Sequence, residues 1–201
     1  MWWRARFSAA ACAVLVLAAS CSQGQDDPNA GGARPSTVVA PETNNIDSVP
    51  QEEPAIARSQ WRIANTSARD VTGNLRVSLA GARGGPVVFA FASGVTVTAQ
   101  PNAVTPASGR SGVPGRNFAE LYGADPNVDA HLYRVVDETV SSSAPQGGLC
   151  GRTRTTHLAV SEFVDQRGRW VFRLAAFKGD GSPGLNGVNP DFCAAYAYEA
   201  Q

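Results

Sequence analysis

The stretch "THLAVSEFV", followed by "DQRG" and "RWVFRLAAF" (residues 156–177), constrains this chain more than any other part of it. Val, Thr, Phe and Trp crowd its two flanks, and the link between them ends in Gly168, placed to take a left-handed backbone conformation. A β-hairpin follows. On the first flank Leu158 and Val160 share a face with Glu162, and His157, Ala159, Ser161 and Phe163 share the other. On the second, Trp170, Phe172 and Leu174 oppose Val171, Arg173 and Ala175. Both faces of that flank are largely apolar, which predicts a strand central in a sheet or in the wall of a closed barrel.

Further runs of the same texture are "QWRIANTS", "GNLRVSLAG", "GPVVFAFASGVTVTAQ", "AHLYRVVDETV" and "FCAAYAYEA", each bounded by Gly, Pro, Asn, Asp or Ser. Leu75, Val77 and Leu79 alternate with Arg76 and Ser78, and Val95 and Val97 with Thr96 and Thr98, the period of a half-buried strand. Helical spacing is not sustained over three turns anywhere in this region. "NFAELYGA" predicts one or two helical turns, capped by Asn117 and stopped by Gly123. The expectation for residues 60–201 is an all-β domain, an antiparallel barrel or sandwich of about seven strands.

The N-terminal stretch sets the compartment. Arg4 and Arg6 precede the apolar run "FSAAACAVLVLAA", too short to span a bilayer and suited to a secretory signal. The following "LAASC" resembles the lipobox of bacterial lipoproteins, with Cys21 at the acylated position and Ala18 where leucine is usual. The resemblance implies a signal peptide over 1–20, diacylation of Cys21 and a place in the cell envelope. Ser22 after the anchor resembles the pattern of outer-membrane sorting. Cleavage by ordinary signal peptidase is the alternative.

Residues 21–59 are rich in Pro, Asn, Gln, Ser and Gly and carry no aromatic side chain, too little apolar surface to offset the entropy of ordering. Asp26, Asp27, Glu42, Asp47, Glu52 and Glu53 outnumber Arg34 and Arg58. An acidic, disordered tether is expected.

Export also decides the cysteines. Cys12 is lost with the signal and Cys21 is the acyl acceptor, which leaves Cys150 and Cys193 to pair in an oxidising envelope. Cys150 as a nucleophile with His157 as its base is disfavoured, since an extended strand sets residues i and i+7 roughly 23 Å apart on opposite faces. Asp129 and His131 share a strand face and could both ligate a zinc-like ion, but no third ligand is identifiable. Asp180, Asn186, Asn189 and Asp191 lie in a Gly/Pro-rich loop whose spacing departs from the calcium-loop pattern, and turn chemistry accounts for them. "NTS" at 65–67 matches a glycosylation acceptor, which a bacterial lipoprotein signal makes irrelevant. "SGRSGVPGR", residues 108–116, is a loop whose two arginines could contact an anionic partner.

The formal net charge is zero, with sixteen scattered arginines and one lysine, so nothing points to a nucleic-acid binder. Nucleotide-binding, serine-hydrolase and zinc-protease motifs are not found, and no catalytic residue or cofactor is indicated. The chain reads as a cell-envelope lipoprotein, facing the periplasm from the outer membrane, whose disulfide-stapled domain binds or inhibits a periplasmic protein or glycan. In architecture alone it is similar to the membrane-bound lysozyme inhibitors, without a motif for their inhibitory loop. The other reading is a small periplasmic enzyme or metal-dependent module using His131, Asp129 and Glu162 or Glu120 in an interior cavity, with His157 a further candidate ligand or metal residue beside Asp129 and His131.

Overall fold

A computed structural model of the chain describes residues 58–184 and 190–201. The expected signal, Cys21 and tether lie outside the described residues, apart from Arg58 and Ser59, as do Asn186 and Asn189.

Eight antiparallel strands follow one another in sequence: β1 (Gln60–Ile63), β2 (Leu75–Leu79), β3 (Val87–Phe91), β4 (Val95–Pro106), β5 (Asp129–Val140), β6 (Thr155–Val164), β7 (Trp170–Lys178) and β8 (Asp191–Ala200). Each pairs with the next, and β8 returns to β1 through Trp61 opposite Ala200 and Ile63 opposite Tyr198, closing a barrel. The architecture is therefore the barrel and not the sandwich. The eighth strand comes from "GPVVFAFASGVTVTAQ", which folds back on itself so that Phe89 pairs with Val97 and Val87 with Ala99.

Alternation sorts side chains into two cores. Facing inward are Leu75, Val77, Phe89, Phe91, Val95, Val97, Tyr133, Leu158, Val160, Phe172, Leu174, Tyr196 and Tyr198, joined by Trp61. The rings meet across the barrel: Trp61 lies 5.2 Å from Phe172, Phe89 5.7 Å from Tyr133, and Phe172 6.3 Å from Tyr198, between centroids. Aromatic side chains occupy the space where a small ligand would sit in a hollow barrel.

The second core lies outside the wall. Between β4 and β5 the chain forms a short helix, α1 (Phe118–Tyr122), whose Phe118, Ala119, Leu121 and Tyr122 cover Leu132, Ala159, Ala175 and Phe177. That cover explains why β7 is apolar on both faces. The Asn117 side chain accepts from the Glu120 backbone N–H while the Glu120 carboxylate accepts from the Asn117 N–H, and Gly123 ends the helix at φ 70°. Tyr122 Oη lies 2.9 Å from Ser161 Oγ, which donates to the Asp129 carbonyl, so the helix is fastened to β6 and β5 by buried hydroxyls.

Candidate functional site

The two cysteines among the described residues are bridged. Cys150, in the loop after β5, meets Cys193 of β8 with Cα atoms 5.3 Å apart. Strand alternation alone does not put Cys193 where the bond needs it. Ala176 pairs with Ala194 but Phe177 pairs with Phe192, so Cys193 is the extra residue of a β-bulge, and it packs with Ala194 against the inner core.

Beside the bridge, Leu149 enters the inner core and is 2% exposed. Its carbonyl accepts from Tyr196 Oη at 2.7 Å, and its N–H donates to the Glu138 carboxylate at 3.0 Å. The same carboxylate accepts from the Thr155 N–H and hydroxyl at 2.7 and 2.9 Å. Leu149 is thus a plug in the barrel end between β5 and β6, held by a half-buried carboxylate, a tyrosine and a disulfide. Burial pushes the Tyr196 hydroxyl up to about 12, with the negative Glu138 adding to it, so it stays a donor. Neither Glu138 nor Tyr196 was marked by sequence reasoning, because their partners are backbone groups of a loop brought to them by the fold.

The two histidines do not converge. His131 shares its strand face with Tyr133 and pairs with Val160, an inward residue, whereas His157 pairs with Arg134 and with Phe177 of the outer core. They lie on opposite faces of the wall. Asp129 does act on His131, opposing a larger lowering caused by burial. Burial also lowers His157, and the Arg134 charge adds to that. Glu120 is committed to the α1 cap, whereas Glu162 follows Val160 by two residues on the same face of β6, the face that His131 shares across the strand pair. Among the described residues no three of His, Cys, Asp and Glu come together as a metal set.

Of the arginines near Cys150, Arg154 donates to the Val136 carbonyl at 2.8 Å, bracing β5, and Arg152 is exposed. Asn65 of "NTS" is equally committed: its side chain donates to the Ala195 carbonyl and accepts from the Ala68 and Ala197 N–H groups.

The loop of residues 108–117 forms the most developed surface feature. Ser111 is fully buried; its hydroxyl donates to the Arg116 carbonyl at 2.7 Å and accepts from the Val113 N–H at 3.2 Å. Arg110 forms a β-bridge with Asn117 at the neck of the loop, and the Ser111 carbonyl receives the Gly184 N–H at 2.9 Å from the β7–β8 connection. A groove of about 580 Å³ runs between this loop and α1, lined by Arg110, Val113, Arg116, Asn117, Glu120 and Gly184 among others. Both guanidinium groups are exposed, and neither has a side-chain partner among the described residues. Such a pair, on a loop pinned by a buried serine, can bind carboxylate or phosphate oxygens with two parallel hydrogen bonds each. No family model, curated protein or solved structure matches the chain.

Proposed function

We propose that the chain is an exported lipoprotein of the cell envelope, held to a membrane through diacylated Cys21, whose barrel is a binding or inhibitor module. Its contact with a periplasmic partner is the groove between Arg110 and Arg116, which receives an acidic group of that partner. The observation that carries this reading is an arginine pair without a side-chain partner among the described residues, on a pinned loop outside a barrel whose interior is filled by its own aromatic rings. Pre-organisation supports it, since a loop already closed by Ser111 loses little freedom when a partner binds. Export and the anchor rest on the signal-like run, the lipobox-like "LAASC" and the bridged cysteines.

The test is a photo-crosslinking residue in place of Val113, in the full chain expressed with its own N-terminal segment in a Gram-negative host. A discrete crosslinked species that is lost in the R110E/R116E chain is the expected result. A crosslink unaffected by charge reversal, or none from a correctly exported chain, overturns the groove. Labelled palmitate incorporated in the parent chain and not in C21S tests the anchor separately.

A further inference from the structure

The largest exposed apolar side chains among the described residues are Val136, Val140, Val164 and Trp170. Two of these are partners: Val164 of β6 pairs with Trp170 of β7 at the tip of their hairpin, with exposures of 50% and 41%. An exposed tryptophan beside an exposed valine retains water-contacting apolar area that a closed barrel does not require.

The surroundings are basic. Arg58 lies with its guanidinium carbon 5.1 Å from the Trp170 ring centre, and Arg167 stands in the turn between the two strands. Arg169 binds Asp165 at 2.7 Å and Glu199 at 2.9 Å, and Arg62 binds Glu199 at 2.7 Å. Asp165 and Glu199 thus hold Arg62 and Arg169, and among the described residues no carboxylate is ion-paired with Arg58 or Arg167. A tryptophan beside a valine, with one guanidinium on its ring and another arginine in the adjoining turn, matches the layer where acyl chains meet headgroups. There an indole takes up interfacial positions, and arginines are drawn to an anionic surface.

Chain direction gives the second argument. Arg58, stacked on Trp170, stands two residues before β1, and Cys21 lies upstream of it in the sequence. A chain anchored through Cys21 therefore leaves the barrel from the same rim that carries the apolar pair, and anchoring raises the effective concentration of bilayer at that rim. We infer that the β6–β7 tip, with Val164, Trp170, Arg58 and Arg167, is a contact surface for a bilayer containing anionic lipid. The inference rests on the anchored reading for the presence of that bilayer. The contact turns one barrel end toward the membrane and leaves the 108–117 groove on the side wall.

Trp170 supplies the readout. The full chain, purified from the producing envelope, is mixed with vesicles of phosphatidylcholine, or of phosphatidylcholine with phosphatidylglycerol, whose acyl chains are brominated. Trp61 is buried inside the barrel, so the difference between the parent chain and W170F isolates the tip. Emission assigned to Trp170 is expected to fall about two-fold in the phosphatidylglycerol vesicles, less in neutral ones, and to recover in salt as the charges are screened. V164D and R58Q/R167Q are each expected to remove most of that quenching with unchanged unfolding midpoints. Equal quenching in both vesicle types, quenching that survives R58Q/R167Q, or no quenching overturns the inference. Palmitate labelling of Cys21 in the same preparation separates the two failures. Labelling without quenching sinks the contact surface, and quenching without labelling sinks the anchor.

Discussion

The tyrosines inside the barrel show how much one hydroxyl depends on what it leaves behind. Tyr198 Oη lies 2.7 Å from the Thr72 hydroxyl, and Thr72 has a second partner in the Ala68 carbonyl at 3.0 Å. Removing the Tyr198 hydroxyl therefore leaves Thr72 satisfied. Tyr196 donates instead to the carbonyl of the buried Leu149, at 2.7 Å. Y196F is expected to destabilise by about 1–3 kcal/mol, the cost of an orphaned buried acceptor, and Y198F by less than about 1 kcal/mol. Urea unfolding of both variants measures the difference, and equal losses would show that the plug carbonyl finds another donor. His131 and His157 give the residue-scale pH dependence. Burial is the main cause that holds both below the ordinary histidine value, so between the folded and unfolded values the unfolded chain binds more protons. Their contribution is fully present above pH about 6.5 and is lost as pH falls through the folded values. The melting temperature is expected to be flat near pH 7–8 and to decline below about pH 6.5, with a shallower decline in H131Q/H157Q. Asp165 acts in a more acid range. The Arg169 backbone N–H, and then its side chain, keeps this carboxyl below the usual carboxylate value, so its part is lost only as that carboxylate protonates. A double variant whose melting curve tracks the parent across pH 5–8 would remove the histidine account.

At the scale of elements, what was legible in the sequence is what is decided locally. The β6–β7 hairpin, the faces of its strands, and the Asn117 and Gly123 boundaries of α1 follow from side-chain alternation and cap chemistry within a few residues. The count of strands was not legible in the same way. β3 and β4 join through Ala92, Ser93 and Gly94, with no Pro or Asn to divide the run, and the alternation continues on either side. The groove escaped for a different reason: its shape depends on a Gly184 N–H reaching Ser111 from far along the chain. The Cys150–Cys193 pairing was readable from compartment and arithmetic, but the bulge that turns Cys193 inward was not. That bridge closes a separation of 43 residues, worth about 4 kcal/mol in the chain-entropy model, so C150A/C193A is expected to lose up to that amount. Glu138, Tyr196 and the burial of Leu149 still hold the plug, so the double variant is expected to remain folded. Guanidinium unfolding of the variant, with the parent measured with and without a dithiol reductant, checks both statements. A loss well below 1 kcal/mol would mean that the unfolded chain is already constrained near these residues.

At the scale of the whole molecule, closure depends on the shortest strand. β1 contributes Gln60–Ile63 and pairs with β2 only through Gln60 and Trp61, and with β8 through Trp61, Arg62 and Ile63. So few backbone pairs make a weak seam, and the anchor beside them is a side chain: Trp61, fully buried, with its ring 5.2 Å from Phe172. Its buried indole N–H has no hydrogen-bond partner among the described residues, a deficit that costs about 1–3 kcal/mol. Burial of the ring offsets that cost, so Trp61 serves the seam through area and shape and not through polarity. W61A is expected to lose about 3–5 kcal/mol, the range for emptying a large aromatic site. It also releases β1, and the seam then opens along β2 and β8. β2 presents Leu75 and Val77, and β8 presents Tyr196 and Tyr198, all inward residues of a wall no longer closed. Open edges with apolar faces pair with other chains, so W61A is expected to self-associate as concentration rises while the parent stays in one state. Sedimentation velocity across a concentration series, beside urea unfolding, measures both effects. A W61A chain that sediments as the parent does, with an unchanged unfolding midpoint, would show that the backbone pairs of β1 close the barrel without their tryptophan.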